Sequence, residues 1–434
     1  MSLESLPSCL PVDSQRTNRL KGRYKMIPVE RTIEETVLDR LLGTAPGLEI
    51  WWDSSPLVYP SWTNKLIASF PEEGQEMLAR QLRRLYDPQD PAATLFTGVT
   101  TNPPLSYHAI QDDPKRWADW VADFSKSHPD LDGTEIAWEL YKEIVRLGAL
   151  EYLPVFERSD HKYGHLSAQV NPYTFFDTQK MVKQALELKS LGANIAIKIP
   201  GSYEGVQAIR KLTSLGVSTN CTSGYTVPQF IAVAEAVQAG LLEARQKEVD
   251  LTGWRSVITY MSARWESAQE FAEEAQEAGV KLGAEDMRWA SVAIFKNAYR
   301  IFRQRAYPSK LLICSLRLGP QVDGVMRCWH VEETAGGQTI FTLPPPFLTE
   351  LFTQADHLIF ERRIRNELPD DVMRRLRKVP YFTAAYEPDG LEPEAFNQIP
   401  ALLNTMKEFR AAMDKIVTFT TEAIGASQPD TEPA

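Results

Sequence analysis

Ala193-Asn-Ile-Ala-Ile-Lys-Ile-Pro-Gly-Ser202 has the pattern of a buried strand that contains one cation. Three isoleucines alternate along it, and Pro200-Gly201 ends the run with a turn signal. If Lys198 is buried, burial lowers its pKa, because removing water from an ammonium group is costly. A neutral amine at a strand end is a nucleophile for a carbonyl carbon, as Schiff-base formation requires. The alternative is a lysine that extends past the strand end into solvent.

Seven other short apolar runs of this kind lie along the chain, which makes eight predicted strands. They are Gly47–Ser54, Thr94–Thr101, His165–Val170, Asn194–Pro200, Val217–Thr222, Ser256–Ser262, Leu311–Arg317 and Thr339–Leu343. Helical patterns separate most of them, as in proteins with a parallel sheet. No GxGxxG motif or P-loop opens any of these helices, which argues against an open nucleotide-binding sheet. The pattern therefore predicts an α/β fold, a closed (β/α)8 TIM barrel.

The remaining segments predict additions to this barrel. We expect an N-terminal arm at 1–30, the barrel at 31–425, a helical insertion after the second strand at 107–163, a helical C-terminal extension at 351–425 (helical at 351–377 and 399–424), and a disordered tail at 426–434. The insertion or the extension would either cover the barrel mouth or join two copies as a homodimer. The sequence leaves both open.

Composition excludes several classes of partner. The formal net charge is −10, whereas nucleic-acid binding requires clustered Lys and Arg. The N-terminus lacks a signal-peptide pattern, and no apolar run reaches the roughly 18 residues of a membrane-spanning helix. The four cysteines form no CxxC motif or disulfide-like spacing, which is typical of reduced thiols. These features predict a cytoplasmic protein that binds neither nucleic acid nor membrane.

Polar residues follow the first seven strands, at the end where TIM barrels carry their chemistry. In chain order they are Asp53, Thr101 and Asn102, Gln169, Lys198, Asn220 and Thr222, Thr259 and Arg264, and Ser315 and Arg317. Most have an ordinary structural explanation when taken singly, but their recurrence on seven consecutive strands indicates a site.

Four of these segments carry a resemblance to a known family. They are Gly-Val-Thr-Thr-Asn-Pro-Pro-Leu (98–105), Ile-Lys-Ile-Pro (197–200), Thr-Asn-Cys-Thr (219–222) and Ser-Leu-Arg (315–317). In order and in the spacing from Lys198 to Thr222 they resemble the landmarks of the transaldolase family. The resemblance implies a class I aldolase that acts on sugar phosphates, both as ketose donor and as aldose acceptor.

The resemblance also implies a catalytic role for several residues. Lys198 would attack the C2 carbonyl of a ketose phosphate, and Asp53 would take the proton from the C4 hydroxyl. Asn102, with Thr101 nearby, would hold the hydroxyls of the three-carbon unit. Thr222 would position a water that moves protons as the carbinolamine dehydrates. No metal or organic cofactor is expected, because the imine itself accepts the electron pair.

A phosphate subsite is implied by the same match. Arg264 and Arg317, together with Ser315 and Asn220, match the family's phosphate-binding positions, and Thr259 replaces a family serine. Two guanidinium groups that offer paired donors suit a terminal dianion. A sulfonate or another anion would suit them equally.

The chain departs from the transaldolase pattern at two positions. Transaldolases carry a Glu on the third strand, where this chain has Gln169, as in the family's fructose-6-phosphate aldolase branch. A carboxamide holds a water but cannot exchange a proton near neutral pH. That branch has a Tyr on the sixth strand, where this chain has Met261, and alternation directs the adjacent Tyr260 away from the barrel centre. Four functions stay open: a transaldolase, an aldolase without an obligatory acceptor sugar, a specialised biosynthetic transaldolase, and a non-catalytic sugar-phosphate-binding barrel.

Overall fold

Eight parallel strands close into a barrel at the centre of the protein. The computed structural model describes residues 35–87, 89–90, 93–354 and 357–427. The strands are β1 Glu49–Trp52, β2 Phe96–Thr100, β3 His165–Gln169, β4 Ile195–Pro200, β5 Thr219–Gly224, β6 Ser256–Met261, β7 Lys310–Cys314, β8 Gln321–Val322, β9 Val325–Met326 and β10 Ile340–Leu343. Around the barrel their order is β1-β10-β7-β6-β5-β4-β3-β2, and β8 and β9 form a separate antiparallel pair. The predicted (β/α)8 barrel is confirmed.

Helices follow the barrel strands and surround them. They are α1 Val37–Leu42, α2 Tyr59–Ala68, α3 Glu72–Leu85, α4 Pro103–Asp112, α5 Pro114–Ser127, α6 Gly133–Arg158, α7 Thr178–Lys189, α8 Tyr203–Thr213, α9 Val227–Gln246, α10 Ser262–Glu266, α11 Gln269–Glu277, α12 Ala284–Gln304, α13 Trp329–Glu332, α14 Pro345–Gln354, α15 Asp370–Leu376, α16 Pro380–Tyr386 and α17 Pro400–Ser427. Short 3-10 turns lie at Pro56–Val58, Pro172–Thr174 and Pro393–Gln398. The start of α4 is capped by the residue just before it, because the Asn102 side chain accepts from the backbone N–H of Leu105. Two prolines follow Asn102 and suit the first turn of this helix.

Strand β4 has the burial expected of a strand inside a parallel sheet. All six of its residues are buried, with helices on one side and the barrel interior on the other. Its neighbours in register place Lys198 between Gln169 on β3 and Asn220 on β5. The register therefore brings three of the predicted site residues to one level of the barrel.

An ionic cluster closes the opposite, N-terminal end of the barrel. Glu49 accepts from Arg255 at 2.6 Å and from Lys310 at 2.5 Å. Burial alone would raise the pKa of Glu49, but the two cations lower it to about 2. Above this cluster the Trp51 ring lies so close to Gly98 that a Cβ there would come within 2.5 Å of it. The Trp51 ring, whose Nε1 donates to Glu49, therefore fills the space beside Gly98.

The predicted insertion lies between β2 and β3 as the helices α4, α5 and α6. All three pack against α17, which also contacts β5 and α10. The insertion and the C-terminal helix therefore pack on each other within one chain, and α17 passes the ends of the strands that carry the predicted site.

Two predicted boundaries in the C-terminal region were wrong. Helix does not continue through 351–377, because residues 357–369 lie between α14 and α15 without helical structure. The backbone N–H groups of Arg363 and Ile364 donate instead to the Ala335 carbonyl, and the Ile364 side chain is buried. The predicted tail begins too early, since α17 continues to Ser427. The predicted N-terminal arm at 1–30 and the rest of the tail lie outside the described residues.

Candidate active site

The Lys198 side chain is buried at the C-terminal end of β4. The residue is 4% exposed, and its Nζ donates to the backbone carbonyl of Thr101 at 3.2 Å. Burial lowers the pKa of Lys198, and the nearby Asp53 only partly opposes this shift. The amine does not extend into solvent, which removes the structural alternative considered from the sequence.

Asp53 lies directly after β1, at the same end of the barrel. Its Oδ1 accepts from the Thr100 hydroxyl at 2.6 Å, and that hydroxyl lies 2.5 Å from the hydroxyl of Thr342. Burial raises the pKa of Asp53, while Lys198 acts in the opposite direction. Asp53 and Lys198 are close enough to influence each other, yet they do not form an ion pair. Burial thus pushes both groups toward their uncharged forms.

Gln169 at the end of β3 and Thr222 near the end of β5 carry buried polar atoms without partners. Both amide atoms of Gln169 and the Thr222 hydroxyl are buried and have no hydrogen-bond partner within the described part of the chain. The Gln169 backbone is fixed by Tyr141 of α6, whose hydroxyl donates to its carbonyl at 2.9 Å and accepts from its N–H at 3.1 Å. Buried polar groups normally have partners, so these atoms are available to a bound polar molecule.

Thr101 and Asn102 use part of their polar surface to hold the backbone. The Thr101 hydroxyl donates to the Ser167 carbonyl at 2.8 Å, and the backbone carbonyl of Thr101 accepts from the Lys198 Nζ. The Asn102 Oδ1 caps α4, which leaves its amide NH2 as the group able to meet a ligand. A direct contact of either residue with substrate stays a prediction.

Asn220 and Thr259 belong to a hydrogen-bond network inside the barrel. The Asn220 Nδ2 donates to the Ser167 hydroxyl at 3.0 Å, and its Oδ1 accepts from the Thr259 hydroxyl at 2.7 Å. Because their principal groups are paired within the protein, these residues connect β3, β5 and β6. Phosphate binding by Asn220 and substrate binding by Thr259 stay predictions.

Arg264, Ser315 and Arg317 line one cavity of about 700 Å³. Ser315 has a φ of 58°, which turns the chain sharply after β7, and Arg317 is exposed. The other wall comes from α17, through Asn404, Thr405, Lys407 and Glu408. The structure thus brings the predicted phosphate-binding arginines together, and it adds a helix that the resemblance did not assign to them.

Tyr225 lies next to the candidate site, although nothing in the sequence singled it out. Its hydroxyl lies 2.5 Å from that of Thr405 on α17 and donates to the Met261 Sδ at 3.3 Å. Tyr260 lies outside the barrel between Phe230 and Phe295, as alternation predicts. The position of Tyr225 immediately after β5 could have indicated a place near the site. Its contact with Thr405 could not have been predicted, because the two residues are far apart in sequence.

A buried histidine supports the backbone of Arg317. The Arg317 N–H donates to His330 Nδ1 at 3.2 Å, while His330 Nε2 lies 3.0 Å from Glu266. These bonds put the ring proton on Nε2, and burial lowers the pKa of His330. His330 was also missed, because nothing near it in sequence indicates a contact with the loop after β7.

The described residues contain neither a metal cluster nor a helix suited to crossing a membrane. No group of three or more His, Cys, Asp or Glu side chains is arranged there to hold a metal ion. None of the helices described is both long and apolar enough to cross a membrane.

Comparison with known proteins agrees with this geometry. The family model for Transaldolase/Fructose-6-phosphate aldolase matches residues 91–416. A transaldolase from Thiobacillus denitrificans is 30% identical over 273 residues, covering 59% of this chain and 73% of the relative. One from Trichodesmium erythraeum is 27% identical over 304 residues, covering 64% and 78% respectively. With a matched barrel and a buried lysine at the strand ends, this chain belongs to the transaldolase/fructose-6-phosphate aldolase family.

Proposed function

We propose that this protein is a transaldolase-type class I aldolase, which transfers a dihydroxyacetone unit from a ketose phosphate to an aldehyde acceptor through a Schiff base on Lys198. The observation that carries the proposal is the buried amine of Lys198, whose pKa is lowered by burial, with Asp53 acting in the opposite direction. A neutral amine is the form that attacks a carbonyl carbon.

The first half of the reaction forms the iminium. The Lys198 nitrogen attacks C2 of the ketose, and the C2 oxygen gains a proton to give a carbinolamine. Loss of that oxygen as water yields the iminium. The unpartnered atoms of Thr222 and Gln169 are suited to hold the water through which these protons move.

The second half breaks a carbon–carbon bond. Asp53 accepts the proton of the C4 hydroxyl, the C3–C4 bond breaks, and its electron pair moves into the iminium to give an enamine and a free aldehyde. The iminium is a fixed cation, so it favours the ionised form of Asp53 that this step requires. The Asn102 amide NH2 is available to hold the enamine hydroxyls. Addition to an acceptor aldehyde reverses these steps.

Gln169 supports a second candidate, an aldolase of the fructose-6-phosphate aldolase type without an obligatory acceptor. A carboxamide cannot supply the proton exchange that a Glu would provide at this position. A specialised biosynthetic transaldolase is a variant of the first candidate, and a non-catalytic sugar-phosphate-binding barrel is the remaining one.

Borohydride trapping with fructose 6-phosphate tests the shared mechanism. We expect a reduced adduct that peptide mass spectrometry maps to Lys198. The Lys198→Met variant should form no adduct and show no turnover while it keeps the wild-type circular dichroism spectrum. Ligand binding without any adduct on Lys198, or activity retained in the variant, would favour the non-catalytic barrel or another mechanism.

Acceptor dependence separates the two enzymatic candidates. Release of glyceraldehyde 3-phosphate from fructose 6-phosphate alone indicates the aldolase, whereas release only with erythrose 4-phosphate present indicates the transaldolase. A cytoplasmic location and a homodimer stay predictions, and size-exclusion chromatography with light scattering measures the second.

A further inference from the structure

Glu408 of α17 forms an ion pair with Arg264, the cation that the family pattern assigns to the substrate phosphate. Thr405 and Phe409 contact the same guanidinium, at 3.5 Å from Arg264 to the Thr405 hydroxyl and 6.0 Å to the Phe409 ring centroid. The spacing of these residues puts all three on one face of the helix. The C-terminal helix therefore brings a carboxylate into the predicted phosphate subsite.

The rest of this subsite keeps its positive charge. The Arg317 guanidinium has no hydrogen bond or ion pair with any other described residue, and Lys407 is exposed on the same cavity. Glu408 is thus the one anion among the charged residues that line the cavity. A phosphate that binds there meets Arg317 and Lys407, which are available, and Arg264, which already pairs with Glu408.

We propose that Glu408 is an internal competitor of the substrate phosphate for Arg264, and so a residue that sets the preference between phosphorylated and unphosphorylated substrates. This inference rests on the proposed function, because it takes the phosphate of that substrate as the ligand. Binding of a phosphorylated sugar then includes an exchange of anions on Arg264.

Accessibility makes this exchange feasible without unfolding. The Arg264 side chain is 29% exposed and that of Glu408 is 56% exposed, so the carboxylate can move into solvent while α17 stays in place. An exposed ion pair of this kind changes an equilibrium by no more than about fivefold. Glu408 therefore adjusts affinity for phosphate and does not abolish it.

Inorganic phosphate is the probe for a direct test, because its binding requires no turnover. Its dissociation constant is measured by isothermal titration calorimetry on the wild type and on Glu408→Gln, Glu422→Gln and Arg264→Gln. We expect Glu408→Gln to bind phosphate about three- to fivefold more tightly. Glu422 is exposed farther along α17, so Glu422→Gln removes an equal charge and should leave binding unchanged. Arg264→Gln should weaken binding.

The second measurement is the ratio of kcat/KM for fructose 6-phosphate to that for fructose. This ratio should rise in Glu408→Gln and not in Glu422→Gln. Unchanged phosphate affinity in Glu408→Gln would overturn the inference, as would an Arg264→Gln variant that binds phosphate like the wild type. Failure of the proposed function is a separate result, since it appears as a missing borohydride adduct on Lys198.

Discussion

Lys198 on β4 and Asp53 after β1 occupy the same buried end of the barrel, and each opposes the pKa shift that burial imposes on the other. They do not form an ion pair, which would hold both groups in their charged forms. The amine can therefore be neutral when it attacks, and the acid can ionise once the iminium supplies a fixed positive charge. This order of charge states follows because both groups are shifted by burial and because they are too far apart to form an ion pair.

Asp53→Asn should separate the catalytic role of this group from its effect on stability. Loss of the base should lower kcat by about 10²- to 10⁴-fold. Because the folded-state pKa of Asp53 is raised above 3.8, the folded protein holds this proton more tightly than the unfolded chain. Ionisation of Asp53 therefore destabilises the folded state as the pH rises from 3.8 through the folded-state pKa.

The variant should consequently be more stable than the wild type at pH 7, and this gain should disappear as the pH falls toward 4. Urea denaturation at both pH values measures the difference. Equal stability at pH 7 would contradict the raised pKa.

Thr222→Val should slow Schiff-base formation without destabilising the barrel. The Thr222 hydroxyl is buried without a partner among the described residues, so its replacement by a methyl group breaks no hydrogen bond within them. If it holds the catalytic water, single-turnover trapping with borohydride should slow by about 10²- to 10⁴-fold.

Thr259→Val is the matched control for this substitution. Its hydroxyl donates to Asn220 at 2.7 Å, so its loss should cost about 1–3 kcal/mol of unfolding free energy. An unchanged trapping rate in Thr222→Val would remove Thr222 from the proposed mechanism.

Alternation along the strands correctly predicted the positions of two side chains. It placed Lys198 at a strand end and directed Tyr260 outward, because the side-chain period of a strand is local information. The contacts of α17 could not be predicted in this way. Arg264 and Glu408 are separated by 144 residues, and Tyr225 and Thr405 by 180, so only the packed structure associates them.

The non-helical segment at 357–369 has a similar cause. Its residues carry helical patterns, but the Ala335 carbonyl accepts from the backbone N–H groups of Arg363 and Ile364. These tertiary hydrogen bonds replace the helical ones, and local propensity contains no information about them.

Glu49→Gln should destabilise the protein strongly, because Glu49 is the shared partner of two cations at the N-terminal end of the barrel. Loss of its charge leaves Arg255 and Lys310 without their anion, which we expect to cost about 3 kcal/mol. The pKa of Glu49 is lowered to about 2, so its contribution is complete above pH 4.5 and is lost as the pH falls toward 2.

Urea denaturation at pH 7 and pH 3 measures this effect. The control is Glu76→Gln, which removes an exposed ion pair with Arg80 and should change stability little. Similar losses of unfolding free energy in the two variants would show that the cluster of Glu49, Arg255 and Lys310 stabilises the protein no more than an exposed ion pair.

His330 should affect phosphate affinity through the backbone of Arg317, since its Nδ1 accepts the Arg317 N–H. His330→Leu removes this acceptor, whereas the Oδ1 of Asn in His330→Asn can replace it. We expect His330→Leu to raise KM for fructose 6-phosphate about tenfold, equivalent to ~1.4 kcal/mol, with a smaller effect on kcat. His330→Asn should recover most of the affinity.

The pH dependence gives an independent check on His330. Burial lowers its pKa below 6.5, so the neutral ring and its bond to Arg317 persist at neutral pH and are lost on protonation in acid. The unfolded chain takes up this proton first, so the wild type should lose stability relative to His330→Asn as the pH falls below 6.5. Denaturation at pH 7.5 and pH 5 measures that difference. A constant difference, together with an unchanged KM in His330→Leu, would mean that the Arg317 loop keeps its position without the histidine.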